Sequence, residues 1–410
     1  MMREYFEGLV RDIEQKLAAD PASASARKTY ALEVARLGRR LYSPGEKVAW
    51  CGVCVPFDLL NAIGTTSCFA EFVGAMLAST GTATAPLERA EQAGYAADTC
   101  AYHRAVVGAA LLGLMPVPDF LVATTSPCSG GLAAIENLAR IFGRDLFMLQ
   151  VPQEETAHAV RFLAGQLEEL THFASAHAGA PLDRERLAAA MEKSNRARAL
   201  LLEVYGMARR VPTPVSNRDL ANLGIVMPLF LGTDAGIEVA QAYRDELAAR
   251  VRDGKAGVPG ERFRLLWVQN RVQFKNPLVK LLEEEYRAVI VVDELNDVTW
   301  EPIDPRDPFP GLARRTISIP LNGPAGRRVA RLRRLVEEYR VDGVVHPCHW
   351  GCRQGTGIRG LIQQSCQEIG VPVLNLEVDC VDQRSFSEGQ LRTRLQAFLE
   401  MIDRRPRART

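Results

Sequence analysis

Asp119-Phe120-Leu121-Val122-Ala123-Thr124-Thr125-Ser126-Pro127-Cys128-Ser129-Gly130-Gly131-Leu132 is the stretch on which the fold turns. Asp119 to Thr124 is a short apolar run, too short for a stable helix and right for a fully buried strand. Ser126 to Gly131 is turn chemistry, and a helix is expected from Leu132 to Phe142, followed by a strand from Asp145 to Val151. A strand, a turn, a helix and a second strand in so few residues describe one parallel crossover.

The same punctuation recurs outward in both directions. On the N-terminal side, an apolar stripe at Tyr30, Val34, Leu37 and Leu41 has helical spacing. Lys47 to Val53 reads as a buried strand, Pro56 to Ile63 as a helix stopped by Gly64, and Cys100 to Leu114 as a helix ended by Pro116. On the C-terminal side, Thr156 to Met207 reads as helix with a break at Gly179-Ala180-Pro181. Strands are expected at Arg264–Gln269, Ala288–Asp293, Asp342–His346 and Val371–Val378, with helices at 276–286, 326–339, 356–369 and 388–402. The segment 296–310, dense in Pro and Asp, reads as a loop. The expected architecture is α/β: two doubly wound parallel-sheet domains, Rossmann- or flavodoxin-like, facing a cleft, with additional N-terminal and central helices. The divisions are a helical segment over 1–44, a first α/β domain with long helices over 45–210, and a second over 211–410.

Composition narrows the function. In 410 residues, 50 Lys and Arg balance 49 Asp and Glu, and 47% of residues are hydrophobic. That is the balance of a globular protein. Binding by phosphate neutralisation needs a basic excess, so no nucleic-acid partner is expected. No apolar run approaches the roughly 20 residues needed to cross a bilayer, and the opening Met1-Met2-Arg3-Glu4 has no signal-peptide character. A cytoplasmic protein without a membrane partner is expected. Nine cysteines in a reducing compartment are then thiols, nucleophiles or metal ligands rather than a disulfide framework.

Three of them stand out by position. Cys128 and Cys352 each follow a strand and precede a helix, one in each half, and Cys100 opens a helix. A helix N-terminus favours a thiolate, and three thiolates meeting at an inter-domain cleft could hold an iron–sulfur cluster. Against this stands the plainer reading of each as a small buried hydrophobe. Cys51 and Cys54 form C-x-x-C without a second pair, so a zinc half-site, a redox dithiol and two thiols at a strand end all remain open. His346-Pro347-Cys348-His349-Trp350-Gly351-Cys352 reads as a compact metal knot, while Cys68, Cys366 and Cys380 read as structural. Gly355 to Gly360 satisfies G-x-G-x-x-G, with Glu377 and Asp379 about 20 residues on. The expected strand ends too early for a dinucleotide fingerprint. Gly355 and Gly357, like Ser129 and Gly130 in the first half, read instead as helix starts that face an anion or the cluster. His103, His346 and His349 neighbour the suspected ligands and are acid–base candidates.

The block Val341-Asp342-Gly343-Val344-Val345-His346, then Cys352, then Glu368 to Asp379, with Phe386 to Glu400, resembles the 2-hydroxyacyl-CoA dehydratase family, which includes the cluster-bearing subunits of benzoyl-CoA reductase. Val55 to Gly64 is similar to its Pro-Glu-Glu-Leu-Ile-x-Ala-x-Gly motif, departing at Phe57-Asp58, where the family carries two Glu residues. The resemblance implies a [4Fe-4S] cluster on Cys100, Cys128 and Cys352, or a double cubane [8Fe-9S] if Cys51, Cys54 and Cys348 take part. It also implies an acyl-CoA substrate, an identical or paralogous second subunit and an ATP-dependent iron–sulfur activator. The expected reaction is a one-electron, ketyl-radical elimination of water, syn or anti, from a CoA thioester. Its alternatives are electron transfer to an aromatic acyl-CoA and a double-cubane reductase. Asp58 and His349 are the candidate catalytic acid and base.

Overall fold

The computed structural model describes residues 2–21 and 24–405. It is α/β, built on two four-stranded parallel sheets. The first contains β1 (Val48–Cys51), β2 (Thr66–Phe69), β3 (Phe120–Thr124) and β4 (Leu146–Leu149) in the order β2-β1-β3-β4. The second contains β5 (Phe263–Trp267), β6 (Ala288–Asp293), β7 (Gly343–His349) and β8 (Val373–Val378) in the order β6-β5-β7-β8. Both repeat the beginning of the flavodoxin strand order, which reverses direction between its first and third strands and leaves a crevice there. The inner strands β1, β3, β5 and β7 are buried on both faces because helices cover them.

Several elements differ from expectation for local reasons. β2, Thr-Ser-Cys-Phe, has too little apolar character to stand out, yet Thr66 to Phe69 pair in register with Val48 to Cys51. The helices Glu71–Ser79 and Thr84–Gln92 follow it. The segment 296–310 is a loop only as far as Asp307, since Pro308, suited to a first helical turn, starts the helix Pro308–Ser318. β7 runs three residues beyond His346, because β8 supplies partners as far as the pair His349 and Val378. The stretch from His346 to His349 is therefore extended strand and not a knot. The helix expected from Leu132 begins at Ser129, and the one expected from Thr356 begins at Arg353, breaks, and resumes over Arg359–Glu368.

The two halves share one continuous buried core. The helix Ala26–Leu41 is tied to Asp234–Arg252: the Ala26 N–H donates to Glu246 at 2.7 Å, and Tyr30 meets Tyr243 edge-on. The long helices Ala157–Ala178 and Arg184–Ala208 lie along the same seam. Where they meet Phe57–Ile63 and Pro308–Ser318, Asp58 is fully buried. Its carboxylate takes both ends of the Arg315 guanidinium at 2.6 and 2.7 Å and the Ser194 hydroxyl at 2.8 Å. Trp300 stacks on the far face of Arg315.

Burial alone would raise the Asp58 pKa, but Arg315, Ser194 and the Leu59 amide outweigh it and hold the carboxyl below its ordinary value. A depressed acid contributes stability above its unfolded pKa and loses it as pH falls through the folded one. Urea titrations should therefore show this contribution intact at neutral pH and fading below about pH 4. Asp58→Asn, which strands the buried guanidinium, should cost about 3–5 kcal/mol at pH 7. A loss below about 1 kcal/mol would mean that the pair does not hold the halves together.

Candidate functional site

In a parallel sheet the strands point their carboxyl ends one way, and each crossover helix starts at that edge. Cys128 follows β3 and caps the helix Ser129–Phe142; Cys352 follows β7 and caps Arg353–Thr356. The two occupy equivalent places in the two sheets. Cys100 caps Ala101–Leu111, the helix that leads into β3. All three thiols line a single cavity of about 780 Å³ between the halves. Cys51, Cys54 and Cys348 do not line it. Among the described residues, no three His, Cys, Asp or Glu side chains close on one point as a single metal ion requires.

Gly351 makes the convergence of Cys100 and Cys352 possible. Its φ is +75°, and a β-carbon there would lie 2.5 Å from the Cys100 nitrogen and 2.6 Å from the Asp98 carbonyl oxygen. Only glycine lets the turn after β7 rest on the chain entering the Cys100 helix.

Each thiol meets N–H donors. Cys128 Sγ accepts from the Gly131 amide at 3.3 Å. Cys352 Sγ accepts from Gln269 Nε2 at 3.4 Å. Cys100 Sγ lies 3.4 Å from His349 Nε2. His349 Nδ1 accepts the Cys380 amide at 3.0 Å, so its proton is on Nε2 and is donated to the sulfur. The expectation that helix starts favour the thiolates meets a stronger opposing effect. Burial pushes Cys128 up to about 11 and raises Cys100 and Cys352 as well, against the amides of Gly131, His103 and Gly355 that pull the other way.

The remaining candidates divide by position. Ser129 and Gly130 line the cavity. Gly355 is packed so tightly under the Gln269 amide that a β-carbon would collide with it, and Gly357 faces a neighbouring smaller cavity with Arg353 and Gln354. Neither His349 nor Asp58 reaches the cavity wall. His349 stands behind Cys100, held neutral by burial with a pKa lowered to about 3; Asp58 belongs to the ion pair described above.

What sequence reasoning missed is Glu71. It opens the helix after β2, at the same sheet edge as the cysteines, and its Oε1 lies 3.4 Å from His103 Nε2. Both residues line the cavity. Glu71 Oε2 and His103 Nδ1 are buried without a hydrogen-bond partner among the described residues. The signal was available only through β2, whose recognition would have put Glu71 at a strand end beside a helix start. The wall also includes the apolar side chains of Tyr30, Val34, Phe72, Met76, Ile225 and Val279, and the exposed Arg27 and Arg218.

Gly351→Ala should destabilise the protein by at least about 1–2 kcal/mol from the positive φ alone, with the steric clash in addition. A urea midpoint within error of wild type would show that the two loops do not depend on that approach.

The profile of the family 2-hydroxyglutaryl-CoA dehydratase, D-component, matches residues 52–402. The (R)-phenyllactyl-CoA dehydratase alpha subunit of Clostridium sporogenes is 24% identical over 87% of this chain and 90% of its own length. A benzoyl-CoA reductase subunit of Thauera aromatica is 26% identical over 77% of this chain and 79% of its own. The lactoyl-CoA dehydratase alpha subunit of Anaerotignum propionicum is 23% identical over 89% and 93%. The profile match takes in every strand but β1 and all three cavity-lining cysteines, and the chain belongs to the 2-hydroxyglutaryl-CoA dehydratase D-component family.

Proposed function

We propose that this chain is the iron–sulfur subunit of an acyl-CoA dehydratase, with Cys100, Cys128 and Cys352 as the protein ligands of one [4Fe-4S] cluster. The observation that carries the reading is that three thiols from distant stretches of chain line one cavity, each at a helix start. The thiolates of a cubane bind different irons, so its protein ligands need not close on one point as those of a single metal ion do. Three cavity thiols favour one cubane over a double cubane. Held this way, the cluster would supply a Lewis acid for the thioester carbonyl and one low-potential electron.

The chain's own residues supply the rest. Loss of water from a 2-hydroxyacyl thioester removes hydroxide from C2 and a proton from C3. One electron lent to the carbonyl by the bound cluster, and returned to it at the end, would let the C2 hydroxyl leave and make the C3 hydrogen far more acidic. Glu71 takes the C3 proton and His103 protonates the departing hydroxide, the 3.4 Å approach of Glu71 Oε1 to His103 Nε2 leaving the two close enough to pass the proton back. The acyl chain lies against Phe72, Met76 and Ile225, which keep water from the radical. The exposed Arg27 and Arg218 suit the phosphates of a coenzyme A. The relatives are each named as one subunit of an enzyme, which supports a second subunit as partner, and the family resemblance implies an ATP-dependent iron–sulfur activator as the electron source.

Anaerobically purified protein should carry about four irons and four sulfides per chain. Cys128→Ala should lose most of both; unchanged iron and sulfide in that variant would defeat the reading. With activator and partner present, an enoyl-CoA without net reduction marks the dehydratase. A dienoyl-CoA from an aromatic substrate marks the reductase that the likeness to the Thauera aromatica protein keeps in view. Glu71→Gln should lower turnover about 10²–10⁴-fold with iron content intact. Turnover within twofold of wild type would remove Glu71 from the proton path.

A further inference from the structure

One side-chain chain ends on a cavity thiol and has no part in the chemistry above. Glu294 and Arg328 form a buried, two-pronged ion pair, 0% and 4% exposed. Burying two charges is costly unless their remaining hydrogen-bonding capacity is used, and here it is used on one target. Glu294 Oε2 accepts the Gln269 backbone N–H at 3.1 Å. Arg328 Nη1 donates to Gln354 Oε1 at 3.1 Å. Gln354 Oε1 accepts in turn from Gln269 Nε2 at 2.7 Å, while Gln354 Nε2 donates to the Leu321 carbonyl at 3.1 Å. The orientation of both amides follows. Arg328 can only donate, so the Gln354 atom facing it is oxygen, and the Gln269 atom facing that oxygen must be nitrogen. The same nitrogen lies 3.4 Å from Cys352 Sγ.

The backbone is shaped to the same end. Gln269 has φ +66°, a conformation unusual for a residue with a side chain and one that persists where surrounding structure enforces it. Gly355, lacking a β-carbon, leaves the room the amide fills. The ion pair thus fixes Gln269 twice, through its own N–H and through Gln354.

We propose that Gln269 is a positioning residue whose locked amide N–H···S bond to Cys352 raises the reduction potential of the cluster, with Glu294, Arg328 and Gln354 as the clamp that holds it. The inference rests on the iron–sulfur reading above. A donor on a ligating sulfur draws electron density from it and stabilises the reduced, more negative state, so hydrogen bonds to the sulfurs are among the factors that set such potentials.

The test is a redox titration of the anaerobically purified full-length protein, followed by EPR and absorption, with iron analysis on each sample. Gln269→Leu should keep its iron and shift its midpoint to more negative potential. Gln269→Glu, similar in shape but with no donor when ionised, should shift it further the same way. Gln354→Leu, which loosens the clamp and leaves Gln269 in place, should give a smaller shift of the same sign. Iron-loaded variants with the wild-type midpoint and EPR spectrum would overturn the proposal and leave the iron–sulfur reading standing. Loss of iron from all three variants, with circular dichroism unchanged, would also overturn it, since Gln269 would then serve binding alone. A wild-type protein without iron would fail both.

Discussion

Backbone meets backbone across the seam where the turn at Gly351 rests on the chain at Asp98 to Cys100. Protein interiors do not stretch to cover a gap, so this contact fixes how far the helix start carrying Cys100 stands from the one carrying Cys352. The third thiol follows from topology. Cys128 and Cys352 occupy the same place after the third strand of two sheets with the same order. When two such sheets turn their carboxyl edges to one crevice, equivalent positions come face to face.

Around that contact the seam is held by charges as well as by apolar packing. Asp58–Arg315 is a buried ion pair between the two halves, and Glu294–Arg328 a buried ion pair within the second. Arg104, itself buried, adds a second link between the halves, pairing Glu91 of the first with Asp382 of the second. Ion pairs in such places are poor sources of net stability but demand particular geometry. In this protein they sit where relative placement of the two sheets decides whether the thiols meet. Asp58 stands where the family motif has a Glu, and it spends its charge on Arg315 rather than on the cavity.

The site was partly readable in advance. Cys100, Cys128 and Cys352 carry a local mark, a cysteine at a helix start, in the last two directly after a strand, and all three line the cavity. His349 was singled out for its neighbours in sequence, but β7 runs through it and turns it behind Cys100, where the Cys380 amide fixes its tautomer. Glu71 and Gln269 carry no local mark. The first follows a strand of polar and small residues, and the second gains its role from an ion pair and an amide contributed by other segments.

Periodicity and turn residues were enough for the α/β class, for most strands, and for the cysteines at helix starts, because those are properties of a few consecutive residues. They also carried the family resemblance, which is local in its motifs. Which side chains face the cavity depends on distances between segments far apart in the chain. Those distances are set by sheet register, by a glycine that admits a backbone, and by buried charges finding partners, and none of these is written in any single stretch. That is why the thiols could be named in advance while the Glu71–His103 pair and the clamp on Gln269 emerged only once the segments were packed together.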